Sequence, residues 1–298
     1  MLFTIMKITL PGTLALATLV SFAALAAAQQ AAKPKPEETE IWTPVPAIVT
    51  PGATNLAPPS DAIVLFDGSN EDQWVSAQDH TPAKWDVHDG ILTVSKGTGN
   101  IETKHRFKDY QLHIEWRIPE NITGSGQARG NSGVFLASTG VGDDGYELQV
   151  LDSYNNTTYV NGQAASIYKQ SAPLVNPNRK PGEWQTYDIV FMVPQFDLQG
   201  RLVEPAYATV FHNGVLVQNH FKLAGNTPFN QPPSYVPHPA KLPLELQYHR
   251  NPVRFRNIWI REIKEIDGTR VAEPMIERAP DKPAAPKPPD HKGPSPAR

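Results

Sequence analysis

Apolar and polar residues alternate with a period of two over several stretches of the chain. In Tyr110–Ile118, the residues Tyr110, Leu112, Ile114, Trp116 and Ile118 share one face, and Gln111, His113, Glu115 and Arg117 share the other. Gly145–Val150 sets Tyr146, Leu148 and Val150 against Glu147 and Gln149, and Leu242–His249 sets Leu242, Leu244, Leu246 and Tyr248 against Glu245, Gln247 and His249. Such alternation predicts half-buried strands. Residues 207–218 read as a hairpin around Asn213-Gly214, because both residues tolerate the positive φ of a type I′ turn. Val253–Ile260 begins with Val253 and Phe255 against Arg254 and Arg256, then changes phase to Ile258 and Ile260, which predicts a bulge near Asn257. No stretch of the core sustains helical periodicity over three turns. The pattern predicts an all-β fold, an antiparallel sandwich or barrel.

Proline marks where this pattern stops. Seven of the 30 prolines fall in residues 29–60 and eight in 274–298, and central strands exclude proline. Residues 29–60 and 267–298 are therefore expected to be extended, Pro-rich segments. Residues 61–266 remain as one domain with enough chain for a sizeable core. Residues 1–28 read as an export signal. Lys7 precedes an apolar run from Gly12 to Ala28, and Ala26-Ala27-Ala28 fits the small-residue cleavage rule. An uncleaved anchor is the alternative, since 17 residues is near the lower limit of a span. The Ala-rich composition favours cleavage after about Ala28 and a periplasmic or secreted protein with no membrane attachment.

Charge and motifs narrow the function by exclusion. The formal net charge of −3, from 27 basic and 30 acidic residues, argues against a nucleic-acid partner. The absence of cysteine excludes disulfides, thiolate metal sites and a Cys nucleophile. Gly124-x-Gly126-x-x-x-Gly130 has the wrong spacing for a dinucleotide loop and precedes a strand-like run, so it reads as a turn. Ser132 lacks the G-x-S-x-G context of a nucleophile.

The polar faces carry unusual content. Glu115, Glu147, Gln149, Glu245, Gln247, His249, Arg254 and Arg256 are long groups with hydrogen-bonding or titrating ends. In a single sheet they would form a polar floor able to bind a polyol. The plain alternative is a solvated face with weak surface ion pairs. His113, His249, Glu147 and Asp152 are the groups an ion would draw on, although their spacing is not that of a metal site. Trp74, Trp85 and Trp184 read either as sugar-stacking platforms or as packing.

Several segments in order carry a resemblance. They are Leu65-Phe66-Asp67-Gly68 followed by Trp74, Trp85–Leu92, Asp109–Pro119, Gly130–Phe135, Gly145–Asp152, Pro181–Asp188, Asn213-Gly214-Val215, Leu246–His249 and Val253–Ile258. Together the chain resembles the 3-keto-disaccharide hydrolase family over roughly Ala62 to Ile263. The resemblance implies a concanavalin A-like jelly-roll sandwich, a carbohydrate site on its concave sheet, and cleavage of glycosides already oxidised at C3. Two departures bear on the rim of the site. Arg250 stands where the family often has Gly after its Gln-x-His, and residues 194–206 and 225–241 are long and Pro-rich.

That chemistry needs three parts. A base removes the C2 proton that the C3 ketone acidifies, an electrophile holds the enolate oxygen, and an acid protonates the leaving oxygen at C1. Water then adds back. An imidazole suits the base, with an ordinary pKa of about 6.5, and a desolvated glutamate could also serve. The expected set is Glu147 and His249 as the acid/base pair and Arg256, or Arg254, as the electrophile. Glu115, Asn131, Gln149, Gln247, Arg254 and Trp184 would bind the sugar. A divalent metal ion is a possible Lewis acid, and no other cofactor is implied. The expected partner is an oligosaccharide or glycoside; nothing in the sequence fixes an oligomeric state. A non-catalytic, lectin-like module using the same face is the alternative, since a fold does not imply a function. An ordinary two-carboxylate glycosidase drawing on Glu115, Glu147 and Glu245 is the third reading.

Overall fold

A computed structural model of the chain describes residues 35–38, 40 and 42–264. The export signal expected at 1–28 and the tail expected at 267–298 lie outside the described residues. The chain divides into two compact units. In the first, Met1–Pro44 with Gly268–Arg298, the described part includes a single 3₁₀ turn at Pro36–Glu38. The second, Val45–Asp267, holds all strands of the described residues.

These strands are β1 (Ile63–Phe66), β2 (Trp74–Ser76), β3 (Asp86–His88), β4 (Ile91–Thr93), β5 (Ile101–Phe107), β6 (Tyr110–Arg117), β7 (Ser132–Ser138), β8 (Gly145–Val150), β9 (Gln185–Met192), β10 (Gln195–Phe196), β11 (Leu202–Glu204), β12 (Tyr207–His212), β13 (Val215–Lys222), β14 (Leu242–Leu246) and β15 (Arg254–Glu262). The larger sheet runs β13-β12-β9-β6-β15-β4-β3, with β1 also on β15, and the smaller runs β2-β5-β14-β7-β8. β10 and β11 form a separate ribbon. The chain passes from one sheet to the other at β1–β2, β2–β3, β4–β5, β5–β6, β6–β7, β8–β9, β13–β14 and β14–β15. The result is the antiparallel sandwich that the alternation predicts.

The apolar parity of each strand builds the core between the sheets. Leu112, Ile114 and Trp116 of β6, Tyr187 and Ile189 of β9 and Phe255 of β15 belong to the same buried cluster as Val134, Leu148, Leu244 and Leu246. Burying each large apolar side chain is worth roughly 1.5–3 kcal/mol. Trp74 and Trp85 belong to this core, their indole N–H groups donating to Leu65 O and Gly99 O, so they are packing residues. The hairpin turn at Asn213 and Gly214 has φ of 52° and 78°. The bulge is also present: the β6–β15 register shifts between Arg256 and Trp259, and Asn257 takes φ of 46°. Part of the stretch expected as solvated linker is tied down, because Leu56 O accepts from Asn257 Nδ2 (2.8 Å) and Trp259 Nε1 (3.0 Å).

One expectation is corrected here. The polar residues do not form a single floor. Glu147 and Gln149 lie on β8 and Glu245 on β14, in the smaller sheet, whereas Glu115 lies on β6 and Arg254 and Arg256 on β15, in the larger. Consecutive strands of like pattern went to opposite sheets, and the core separates their polar faces.

Candidate active site

The outer face of the smaller sheet carries a pocket lined by Asn131, Asp143, Glu147, Gln149, Tyr168, Thr227, Phe229, Gln247 and His249. Strand register sets its floor. Phe135 of β7 pairs with Glu147 of β8 on one side and with Glu245 of β14 on the other. The Phe135 ring thus lies on the outward parity between two carboxyl groups, and it is fully buried. Gly133, two residues earlier, leaves the space into which Glu147 leans, for a Cβ there would stand 3.0 Å from Glu147 Cδ. A glycine inside a strand often marks such a close approach.

Loops complete the enclosure. The Glu147 N–H donates to Thr227 Oγ1 (2.9 Å), which donates in turn to Gly145 O (3.1 Å). Asn131 Nδ2 donates to Gln127 O (2.8 Å). The Tyr168 and Tyr159 hydroxyls share a hydrogen bond (2.8 Å), and Lys169 Nζ lies 3.9 Å from the centroid of the Tyr159 ring. Asn100 ties the far end together, its Nδ2 donating to Glu245 Oε1 (2.7 Å) and Asp143 Oδ1 (3.1 Å) while its Oδ1 accepts from Tyr248 N (2.7 Å). His249 is exposed at the mouth.

The electrostatics follow from this burial. Desolvation raises the pKa of Glu147 well above the ordinary carboxylate value, and Asp143 and Glu245 push it the same way. Desolvation likewise raises Glu245 to about 8, against the hydrogen bonds from Ser138 and Asn100. The amide of Gln149 agrees with a neutral Glu147. Gln149 Nε2 donates to Gln127 Oε1 (3.1 Å) and Asn131 Oδ1 (3.3 Å). Its oxygen then faces Glu147 Oε1 at 2.8 Å. Two oxygens at that distance need a proton between them, and a protonated Glu147 donates it. Turning the amide over would let its nitrogen donate to Glu147 Oε1 (2.8 Å) and Ser132 O (3.2 Å), but would set the Gln149 oxygen against Gln127 Oε1 (3.1 Å). The Gln127 Nε2 is already committed to Thr158 and Gly162. One acceptor on the floor, the buried Gln247 Oε1, has no partner among the described residues.

The pocket therefore brings together Glu147, His249, Asn131, Gln149 and Gln247 from the expected set. It does not include Arg256, Arg254 or Glu115, which lie on strands of the opposite sheet, or Trp184, which packs against Arg256. Arg256 Nε donates to Glu115 Oε2 (2.7 Å), and Asn257 Nδ2 donates to Glu115 Oε1 (2.8 Å). Burial of Glu115 works against its charge, but hydrogen bonds from His113, Asn257 and Arg256 hold its pKa down to about 2. The grouping of His113, His249, Glu147 and Asp152 around an ion does not form. His113 bonds Asp188 (2.7 Å) on the larger sheet, and Asp152 pairs with Arg129 (2.7 Å) and caps the turn at Tyr154 N (3.1 Å). Among the described residues no three His, Asp or Glu side chains are grouped to hold a metal. Sequence reasoning missed Tyr168, Thr227, Phe229, Asp143 and Asn100, which lie outside the strands. One signal was present: β7, Ser132–Ser138, has apolar residues on both parities, as a strand covered on both sides must.

Residues 61–261 match the family described as the 3-keto-alpha-glucoside-1,2-lyase-like domain. A 3-keto-disaccharide hydrolase from Bacteroides thetaiotaomicron is 31% identical over 170 residues, covering 46% of this chain and 55% of its own. The chain thus spans about half the length of that curated relative. A crystal structure of a candidate glycosyl hydrolase from Parabacteroides distasonis is 48% identical with a TM-score of 0.71, covering 77% of this chain and 97% of that one. A second from the same organism, at 19% identity and a TM-score of 0.52 over 68% of this chain and 94% of that one, is alike in fold.

Proposed function

The chain belongs to the 3-keto-alpha-glucoside-1,2-lyase-like domain family, and from that premise we propose that its pocket cleaves 3-keto-glycosides by elimination and hydration. One observation supports this above the rest: a single pocket holds both a buried carboxyl group at Glu147, whose pKa burial raises, and an exposed imidazole at His249. His249 takes the C2 proton, and the electron pair passes into the C3 ketone as an enolate. The enolate then expels the C1 substituent, whose oxygen takes the proton of Glu147. Water adds at C1 of the resulting enone, so the net change is hydrolysis.

The enolate oxygen needs donors on this side of the sandwich, which excludes Arg256 from that role. The Tyr168 hydroxyl lines the pocket, and Lys169 places a positive charge over the rings of Tyr159, Tyr168 and Phe229. These groups take the part first given to Arg256. Gln247 Oε1, unpartnered and buried, accepts from a sugar hydroxyl, and Asn131 fixes the Gln149 amide that orients Glu147. The signal-like residues 1–28 support export of the enzyme.

The test uses a 3-keto-glucoside and its unoxidised parent in deuterated water, with aglycone release and deuterium at C2 as readouts. Release from the keto sugar alone, with deuterium incorporated, is the expected result. Glu147→Gln should slow release while deuterium exchange persists, and His249→Ala should abolish both. Binding of either sugar without turnover overturns the enzyme reading in favour of a lectin-like module. Turnover of the unoxidised parent, lost in Glu147→Gln and kept in His249→Ala, favours a two-carboxylate glycosidase.

A further inference from the structure

The outer face of the larger sheet carries a second chemical feature, remote from the pocket because the core lies between. Arg117 of β6 and Arg254 of β15 are register partners. Directly opposed like charges destabilise a sheet, so such a pair is normally relieved by an intervening carboxylate. None is present among the described residues. Neither arginine makes an ion pair or a side-chain hydrogen bond there, although the neighbouring Arg256 is matched by Glu115 at 2.7 Å. Asp86 of β3 is the register partner of Thr93 rather than of Arg254. Arg117 Nε is buried with no acceptor. Desolvation and the charges of Arg254 and Arg256 lower the pKa of Arg117. Trp184 adjoins the pair, with the Arg117 guanidinium 4.5 Å and the Arg256 guanidinium 4.1 Å from its ring centroid. That contact restrains the Arg117 side chain.

We propose that Arg117 and Arg254 form an oxyanion-binding site on the outer face of the larger sheet, taking a carboxylate or sulfate group. Two planar donor forks carried side by side on adjacent strands suit an acceptor with two or more oxygens. The bound anion removes the repulsion between the arginines and supplies the acceptor that Arg117 Nε lacks. The anion comes either as a free ion or as the acidic substituent of a saccharide, and both present the same oxygens. A polyanion such as nucleic acid is disfavoured by the formal net charge of −3 and by the confinement of the pair to the ends of two neighbouring strands.

The experiment uses the full chain. Its melting temperature is followed while sodium sulfate replaces sodium chloride at constant ionic strength, and calorimetry measures binding of a uronate trisaccharide and of its neutral counterpart. Arg254→Gln is the test variant, and Lys104→Gln, an exposed site on β5 of the other sheet, is the control. Sulfate should raise the native melting temperature more than chloride does, and the Lys104→Gln variant should behave as native. Arg254→Gln should melt higher than native without sulfate, because the repulsion is gone, and should lose the sulfate-specific gain. Its affinity for whichever anion binds should fall about tenfold or more. Sulfate binding alone identifies a free ion as the occupant, and trisaccharide binding alone identifies the saccharide; either supports the site. An equal response of native and Arg254→Gln proteins to sulfate and to the acidic trisaccharide overturns it.

Discussion

Gly133→Ala is the sharpest probe of how Glu147 is held. The substitution is mild for the backbone, since Gly133 lies outside the left-handed region, but it is not mild for its neighbour. The new methyl group would stand 3.0 Å from Glu147 Cδ and 3.1 Å from Cγ, and closer still to Oε1, where ordinary contact begins at 3.4 Å. The carboxyl group must retreat by on the order of 1 Å, a displacement that can cost about 10²-fold when the group acts on a reacting atom. That is about 2.7 kcal/mol of activation free energy. The structural cost is smaller. Overpacking typically costs ~1–3 kcal/mol, and the flexible end of Glu147 puts this case at the low end, a melting shift of about 2–4 °C for a domain of this size. Aglycone release from a 3-keto-glucoside, alongside thermal melts, separates the two effects. We expect kcat to fall with little change in KM and a nearly native melt. Shortening the acid by Glu147→Asp in the same background should restore part of the activity. A Gly133→Ala variant with native kcat/KM would refute the reasoning, because it would mean that the position of Glu147 does not matter to the reaction.

Three further outcomes follow from the same geometry. The pKa of Glu245 is about 8 when folded, against an ordinary 4.5; the folded protein therefore keeps a proton that the unfolded chain loses, and stability falls as pH rises between these values. Glu245→Gln can keep the bonds to Asn100 and Ser138, and should flatten that fall in melts taken from pH 5 to pH 8. Arg256→Gln should leave kcat/KM near native, since Arg256 is not in the pocket. It should cost about 1 kcal/mol in denaturant titration, because Arg256 is 41% exposed and Asn257 and His113 still hold Glu115. Arg250, at φ of 62° beside His249, occupies backbone space that favours glycine. Arg250→Gly should raise stability by up to about 1 kcal/mol in denaturant titration and alter KM more than kcat.

The parts of the fold that were legible are those that parity and turn chemistry determine locally. Alternation in Tyr110–Ile118 and Gly145–Val150 assigned the core-facing side of β6 and β8, and Asn213-Gly214 and the phase slip at Asn257 located a turn and a bulge. Parity does not say to which sheet a strand belongs. That depends on pairings across long stretches of chain, such as β6 with β15 and β7 with β14. The expected site is consequently divided between two faces: Glu147, Asn131, Gln149, Gln247 and His249 share a pocket, and Arg256 and Glu115 share the other face. The pocket walls came from loops such as those bearing Tyr168 and Phe229, whose residues follow no period that a strand imposes.

Glu115 and Glu147 show why residue type and parity stop short of chemistry. Each occupies an outward position on a central stretch of strand, and each is nearly buried, at 3% and 4% exposure. Glu115 is surrounded by Arg256, His113 and Asn257, so its charge is stabilised and its pKa is held down to about 2. Glu147 meets Phe135 across the strand pair, the nearby carboxyls Asp143 and Glu245, and an amide oxygen, so its neutral form is favoured. A carboxylate locked to an arginine is a structural anchor, with no proton to give. A carboxylic acid that keeps its proton beside an open imidazole can deliver it to a leaving group. The difference arises from the partners that sheet register supplies, Arg256 in one case and Phe135 in the other. Exchanging those surroundings, rather than the glutamates themselves, would exchange their roles.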